Sequence, residues 1–183
     1  MNRARLSELY TQKIRSHLQK TLGLSNVMQV PKINKIVVNV GVKEAVADSK
    51  SLQSVIKAIS AITGQTPVRT YARKSIAGFK LREGMPIGVK VTLRGQVAYE
   101  YLDRLINLAL PKVRDFRGVP RAFDGRGNYN LGLRDWTIFP EMDHEIGEKM
   151  HGMNVTIETS ASCDEHGRAL LQEFGMPFCK ERD

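Results

Sequence analysis

The chain has 183 residues, 42% hydrophobic and 26% charged, enough for one ordinary domain with a core and short for two. No apolar run approaches the roughly 18 to 20 residues that cross a bilayer, and the basic, polar opening "MNRARLSELYTQKIRSHLQK" lacks the apolar stretch of a secretory signal, so the expectation is an intracellular protein with no membrane partner. A net charge of +9 and a pI of about 9.7 point towards a polyanionic partner, although a basic pI by itself also fits a protein that binds nothing anionic.

In chain order, Leu6, Leu9, Tyr10, Ile14, Leu18 and Leu22 recur at three and four residues and predict an amphipathic helix ending near Gly23. "KINKIVVNVG" after Pro31 predicts a strand. In "DSKSLQSVIKAISAITG", Leu52, Val55, Ile56, Ile59 and Ile62 share a helical face, with Asp48 or Ser49 as N-cap and Gly64 as stop. "PVRTYA" and "PIGVKVTLRG" read as strands around a basic, glycine-containing loop, and "QVAYEYLDRLINLALPKV" as a third long helix.

The next stretch, "RDFRGVPRAFDGRGNYNLGLRD", reads as irregular and is long enough to imply function or a wrapped loop. "WTIFP" and "MNVTIETS" predict two further strands. Ser162 and Glu165 have capping-box spacing before a helix in "EHGRALLQEFG", which Gly175 and Pro177 terminate. With no repeat or linker, the elements predict a single α+β domain: a mostly antiparallel sheet with helices on one face, an open second face and a long basic hairpin loop.

Charge is polarised along the chain. Between Arg69 and Arg94 stand seven Lys or Arg residues against Glu83 alone, whereas Glu141 to Asp183 holds ten acidic residues against four basic ones. Strand alternation then divides the side chains. Ile36, Val38 and Val40 oppose Lys35, Val37 and Asn39; Val89, Val91 and Leu93 oppose Lys90, Thr92 and Arg94; in the second strand Arg69, Tyr71 and Arg73 form the more polar set. A sheet face of Lys, Asn, Arg, Tyr and Thr suits RNA, the cations meeting phosphates and the amide and hydroxyl meeting bases or 2′-hydroxyls. The same pattern also describes an ordinary solvent face of an antiparallel sheet.

Catalytic constellations are weak. "HEIGEKMH" begins like a zinc-protease helix at His144 and Glu145, but Glu148 stands where the second His belongs and His151 is off the face. In "ARKSIAGFKLREGMPIG" the Lys-Ser pair precedes the glycines instead of closing a loop at a helix start, so the segment is not a P-loop. "FDGRGNYNLG" has no helix pattern after its GRG. Cys163 and Cys179 form no CxxC pair and read as reduced thiols. No enzyme, metal or cofactor is expected.

Four segments, "SNVMQVPKINKIVVNVGVKEA", "AITGQTPVRTYARKSIAGFKLREGMPIGVKVTLRG", "ALPKVRDFRGVPRAFDGRGNYNLGL" and "IFPEMD", followed by "DEHGRALLQEFGMPF", resemble the large-subunit ribosomal protein L5 family of bacterial or organellar type, from Ser25 to Phe178. That resemblance implies a structural protein of the ribosomal central protuberance, with 5S rRNA, 23S-type rRNA and other 5S-associated proteins as partners. On its terms Asn39, Gln65, Thr92 and Arg94, with Arg69 and Lys90 on phosphates, meet 5S rRNA. The loop Arg73 to Met85, through Arg73, Lys74, Ser75, Phe79, Lys80 and Arg82, resembles the tip that reaches P-site tRNA. The segment Asp115 to Gly132, with Arg117, Arg121 and Arg126, resembles the part facing protein S thirteen of the small subunit. Location on cytoplasmic or organellar ribosomes fits equally, and a freestanding RNA-binding regulator with the same sheet is the alternative. Two residues have plainer roles open to them: Gln65 as the cap of a turn and Phe79 as the loop's anchor in the core.

Overall fold

The computed structural model describes residues 4–46, 49–142 and 150–179. Three helices, α1 (Arg5–Leu9), α2 (Arg15–Thr21) and α3 (Ser49–Thr63), precede α4 (Gly95–Arg104) and α5 (Asp164–Glu173). Five strands, β1 (Ile33–Gly41), β2 (Val68–Tyr71), β3 (Pro86–Leu93), β4 (Tyr129–Leu133) and β5 (Met153–Thr159), form one open antiparallel sheet in the order β2-β3-β1-β5-β4. The α+β class is as expected, and the sheet is not a barrel.

The chain divides into two compact units, whose boundaries fall inside β1, β4 and β5. The first comprises Met1–Ile36, Arg94–Leu131 and Thr156–Asp183. Within it α1 packs on α4, and a π turn (Tyr10–Ile14) joins α1 to α2, so that Leu6, Ile14 and Leu18 are buried. Arg5 grips Asp103 through Nε at 2.9 Å, and this guanidinium holds the Asp103 carboxyl below its ordinary range. Tyr10, Tyr99 and Phe174 cluster with centroids about 6 Å apart, and the Tyr10 hydroxyl donates to the Pro31 carbonyl at 3.0 Å. The predicted third helix is α-helical only to Arg104; a π turn (Leu105–Ala109) and a 3-10 turn (Leu110–Lys112) follow, the latter containing Pro111, which has no N–H to continue the ladder.

The second unit comprises Val37–Leu93 and Gly132–Val155. Here Leu52, Val55, Ala58, Ile59 and Ile62 bury one face of α3, which packs on β3. Val38, Val40, Val89, Val91 and Leu93 are buried while Asn39 and Lys90 are exposed, the alternation expected when a sheet is covered on one side.

Three expectations are corrected. "WTIFP" is a turn and not a strand: the Asp135 carboxylate accepts the Thr137 N–H at 2.9 Å, Phe139 N–H reaches the Trp136 carbonyl at 3.1 Å, and both rings are buried at i and i+3. "YNLGL", inside the supposedly irregular segment, is β4, burying Tyr129, Leu131 and Leu133. The Ser162–Glu165 capping box is absent, because the helix begins one residue later, with Cys163 at the N-cap and no side-chain cap. The Asp48/Ser49 cap and the His144, Glu145 and Glu148 constellation lie outside the described residues or side chains.

Candidate nucleic-acid interface

In the second unit, β2 is an edge strand paired antiparallel with β3. The register sets Val68 opposite Lys90, Arg69 opposite Val89 and Thr70 opposite Gly88, with a slip before Tyr71, which faces Pro86. Residues directly opposite in such a pair project from the same face. Arg69 therefore belongs with the buried Val89 set and not with the open face expected for it; Val68 and Thr70 take that place beside Lys90 and Thr92. The sequence offers little to reveal this, since three of the four β2 residues are exposed and the fourth is half-buried, so neither phase is marked by hydrophobicity.

On the other side of β3, the Val42 N–H donates to the Ile87 carbonyl at 3.0 Å. Counted inward along the antiparallel pair, this bond brings Gly41 beside Gly88 and Asn39 beside Lys90. A Cβ on Gly88 would lie 2.6 Å from the Val40 carbonyl oxygen, 3.0 Å from Thr70 Oγ1 and 3.4 Å from Gly41 Cα, so this position tolerates only glycine between its neighbours. Asn39 and Lys90 are exposed and Thr92 is half-buried. Gln65 is also exposed, and the turn is managed without its side chain. Thr63 Oγ1 donates to the Ile59 carbonyl at 2.7 Å and receives the Gln65 N–H at 3.4 Å.

The loop between β2 and β3 is a closed miniature hairpin. Ile76 and Leu81 exchange backbone hydrogen bonds at 3.0 and 3.1 Å around a 3-10 turn (Ala77–Phe79), and Lys80 takes the left-handed conformation at φ 53°. At its base the Ala72 N–H reaches the Met85 carbonyl and the Gly84 N–H the Ala72 carbonyl. Ser75 serves this scaffold, its hydroxyl accepting the Glu83 N–H at 3.0 Å. Arg73, Lys74, Lys80 and Arg82 are all exposed. Phe79 does not anchor the loop in the core; it is 73% exposed near the tip.

In the first unit, the segment carrying Arg117, Arg121 and Arg126 is wrapped against the C-terminal part of the chain. Val119 N–H donates to Pro177 and Cys179 N–H to Val119, while Gly118 lies so close that a Cβ there would be 2.7 Å from the Cys179 nitrogen. Phe123, Tyr129 and Phe178 form an aromatic cluster, with the Arg168 guanidinium 5.9 Å from the Phe123 centroid. The Tyr129 hydroxyl donates to the Pro120 carbonyl at 2.7 Å, and burial pushes its pKa up to about 12.

The GRG turn is filled from within. Asp164, the first residue of α5, accepts the Gly127 N–H at 2.8 Å and the Gly125 N–H at 3.1 Å; Asp124 accepts the Arg126 and Asn128 N–H groups at 2.8 and 3.0 Å. The Asn128 side-chain amide also reaches Asp124 at 2.7 Å and holds that carboxyl below its ordinary range. Arg117 and Arg126 project exposed, Arg121 is half-buried, and Arg94 stands exposed at the N-cap of α4. Cys163 and Cys179 are free thiols, the latter donating to the Arg117 carbonyl. Among the described residues no helix is long and apolar enough to cross a membrane.

Comparison with known proteins accounts for nearly the whole chain. Residues 26–82 match the family described as ribosomal protein L5, and residues 86–178 match the C-terminus of the same ribosomal family. The large ribosomal subunit protein uL5 of Psychrobacter cryohalolentis is 56% identical over 176 residues, covering 96% of this chain and 99% of the relative. Those of Geobacter sulfurreducens and Synechocystis are 58% and 56% identical, over 96% and 95% of this chain and 98% and 97% of theirs. Family models and relatives that span both units establish that the chain belongs to the ribosomal protein L5 family, whose role in the large ribosomal subunit is structural and not enzymatic.

Proposed function

We propose that this ribosomal protein binds 5S rRNA through the open face carrying Asn39, Lys90 and Thr92, with Gln65 three residues before β2, and helps attach that RNA in the central protuberance. The observation that carries the reading is the exposed, cation-bearing sheet face in a chain related over 96% of its length to large-subunit proteins. Lys90 supplies phosphate attraction, whereas Asn39 and Thr92 offer fixed donors and acceptors to unstacked bases or ribose. Arg94, in the first unit, is a separate assignment to the same RNA. Arg69, opposite Val89, is left outside the base-contacting set.

The Arg73 to Met85 hairpin is assigned to P-site tRNA, and Arg117, Arg121 and Arg126 to the head of the small subunit. The exposure of Lys74, Lys80, Arg82 and Phe79 on a self-bonded tip supports the first of these assignments. Binding of purified protein to a 5S rRNA transcript tests the central reading. Asn39→Ala and Thr92→Ala should each weaken it by about 1 to 3 kcal/mol if they make buried hydrogen bonds to RNA. Unchanged binding in both would refute the face assignment. A chain found wholly off large subunits in growing cells would favour a freestanding regulator.

A further inference from the structure

We infer that Val68 makes an apolar contact with an unstacked nucleotide, as the third member of a row that Lys90 and Asn39 complete; this rests on the reading of the open face as an RNA surface. Val68 stands directly opposite Lys90 in the β2–β3 ladder, and the β3–β1 pair brings Asn39 to the other side of Lys90. Three adjacent strands spaced about 4.8 Å apart thus present an apolar group, a cation and an amide within about 10 Å, the dimension of one nucleotide.

A lone exposed valine needs no explanation on a protein surface. This one differs in being 62% exposed on an edge strand, beyond which no further strand stands among the described residues, and in being fixed beside a cation by backbone pairing. The surrounding charge selects the occupant. With seven basic residues and one acidic residue between Arg69 and Arg94, an apolar contact here is most favourable to a partner that is itself a polyanion with exposed ring or ribose carbons. Lysine attraction alone carries no information about which nucleotide lies over it, so the neighbouring apolar group helps fix register.

The test is binding of the full chain to 5S rRNA across a salt series for the natural protein, Val68→Thr and Lys90→Gln. Val68→Thr keeps the β-branched shape on an exposed strand position, and thermal unfolding verifies that the fold is retained. The expected result is binding weakened about three- to tenfold at every salt concentration by Val68→Thr, from loss of apolar contact worth roughly one methyl group. The slope of log affinity against log salt should be unchanged by Val68→Thr and reduced by about 0.7 to 0.9 by Lys90→Gln. Equal binding by Val68→Thr and the natural protein would overturn this inference while leaving the RNA face standing. Failure of the natural protein to bind would instead overturn the parent reading.

Discussion

Replacing Asp164 by Ala should unlock the GRG turn without touching any residue assigned to RNA. Its carboxylate receives two backbone N–H groups, from Gly127 at 2.8 Å and Gly125 at 3.1 Å. Hydrogen bonds to a charged acceptor contribute about 1.5 to 3 kcal/mol where the donor loses water. Gly127 is buried and Gly125 exposed, so the first bond accounts for about 2 kcal/mol and the second for well under 1. Loss of an acidic residue from the first turn of α5 adds about 0.5 kcal/mol. The expected destabilisation is therefore about 3 kcal/mol by equilibrium urea unfolding, with Asp164→Asn, which keeps an acceptor oxygen, costing about half as much. Amide exchange should accelerate first at Gly127, whose carbonyl also receives the Thr159 hydroxyl at 2.8 Å. A loss below about 0.5 kcal/mol for Asp164→Ala, the ordinary range for a surface change, would refute the view that this carboxylate holds the turn.

Other consequences are equally direct. Gly88→Ala should cost about 1 to 3 kcal/mol in thermal or urea unfolding, because its methyl would sit 2.6 Å from the Val40 carbonyl and backbone must shift. Asp103, whose folded pKa is lowered chiefly by Arg5, lends stability that is present above the unfolded value near 3.9 and is lost as pH falls through the folded one. Arg5→Gln should flatten that acid limb and cost about 0.5 kcal/mol at neutral pH, given an exposed guanidinium. Neutralising Lys74, Lys80 and Arg82 together should weaken tRNA retention on assembled ribosomes while leaving 5S rRNA binding nearly intact; loss of 5S binding would contradict the separation of the two surfaces.

What can be read from sequence depends on whether one local rule acts alone. Helix α3 and strands β1, β3 and β5 carry clean periodicities, and each is found within a residue or two of its expected place. Where two rules compete, the pattern misleads. Asn130 and Gly132 are poor strand formers and hide β4, although Tyr129, Leu131 and Leu133 alternate as a buried strand should. In "DWTIF" the apolar content suggests a strand, but the Asp135 side chain bonds two residues onward and turns the chain. The start of α5 lies one residue past the capping-box spacing, and its first residue, Asp164, is committed to a loop 37 residues earlier, a long-range contact with no local signature. Arg69 is misplaced for a different reason: on a short edge strand exposed on both faces, only the partner's register decides which way a side chain points.

Both glycine-containing basic loops have the composition of nests that bind phosphate through backbone amides; the hydrogen bonds exclude that mode in the GRG turn and leave few amides for it in the β2–β3 hairpin. In the GRG turn the N–H groups of Gly125, Arg126, Gly127 and Asn128 are all taken by Asp124 or Asp164, which already supply the negative charge such a nest would attract. In the β2–β3 hairpin every N–H from Phe79 to Met85 has an acceptor inside the loop, including the Ser75 hydroxyl and the Met85 sulfur. On the proposed reading, the hairpin meets tRNA mainly through the exposed side chains of Lys74, Lys80 and Arg82, held out on a self-bonded backbone, while Arg126 projects from a turn whose amides are already satisfied. Such contacts contribute by counterion release, so each neutralised hairpin side chain should lower the salt slope of tRNA association by about 0.7 to 0.9 and leave the fold unchanged. A nest would show the reverse, with affinity surviving loss of the side chains and disappearing when the backbone is distorted. Measuring the salt slope of tRNA retention on assembled ribosomes for Lys80→Gln separates the two modes, and an unaltered slope would sink the side-chain account.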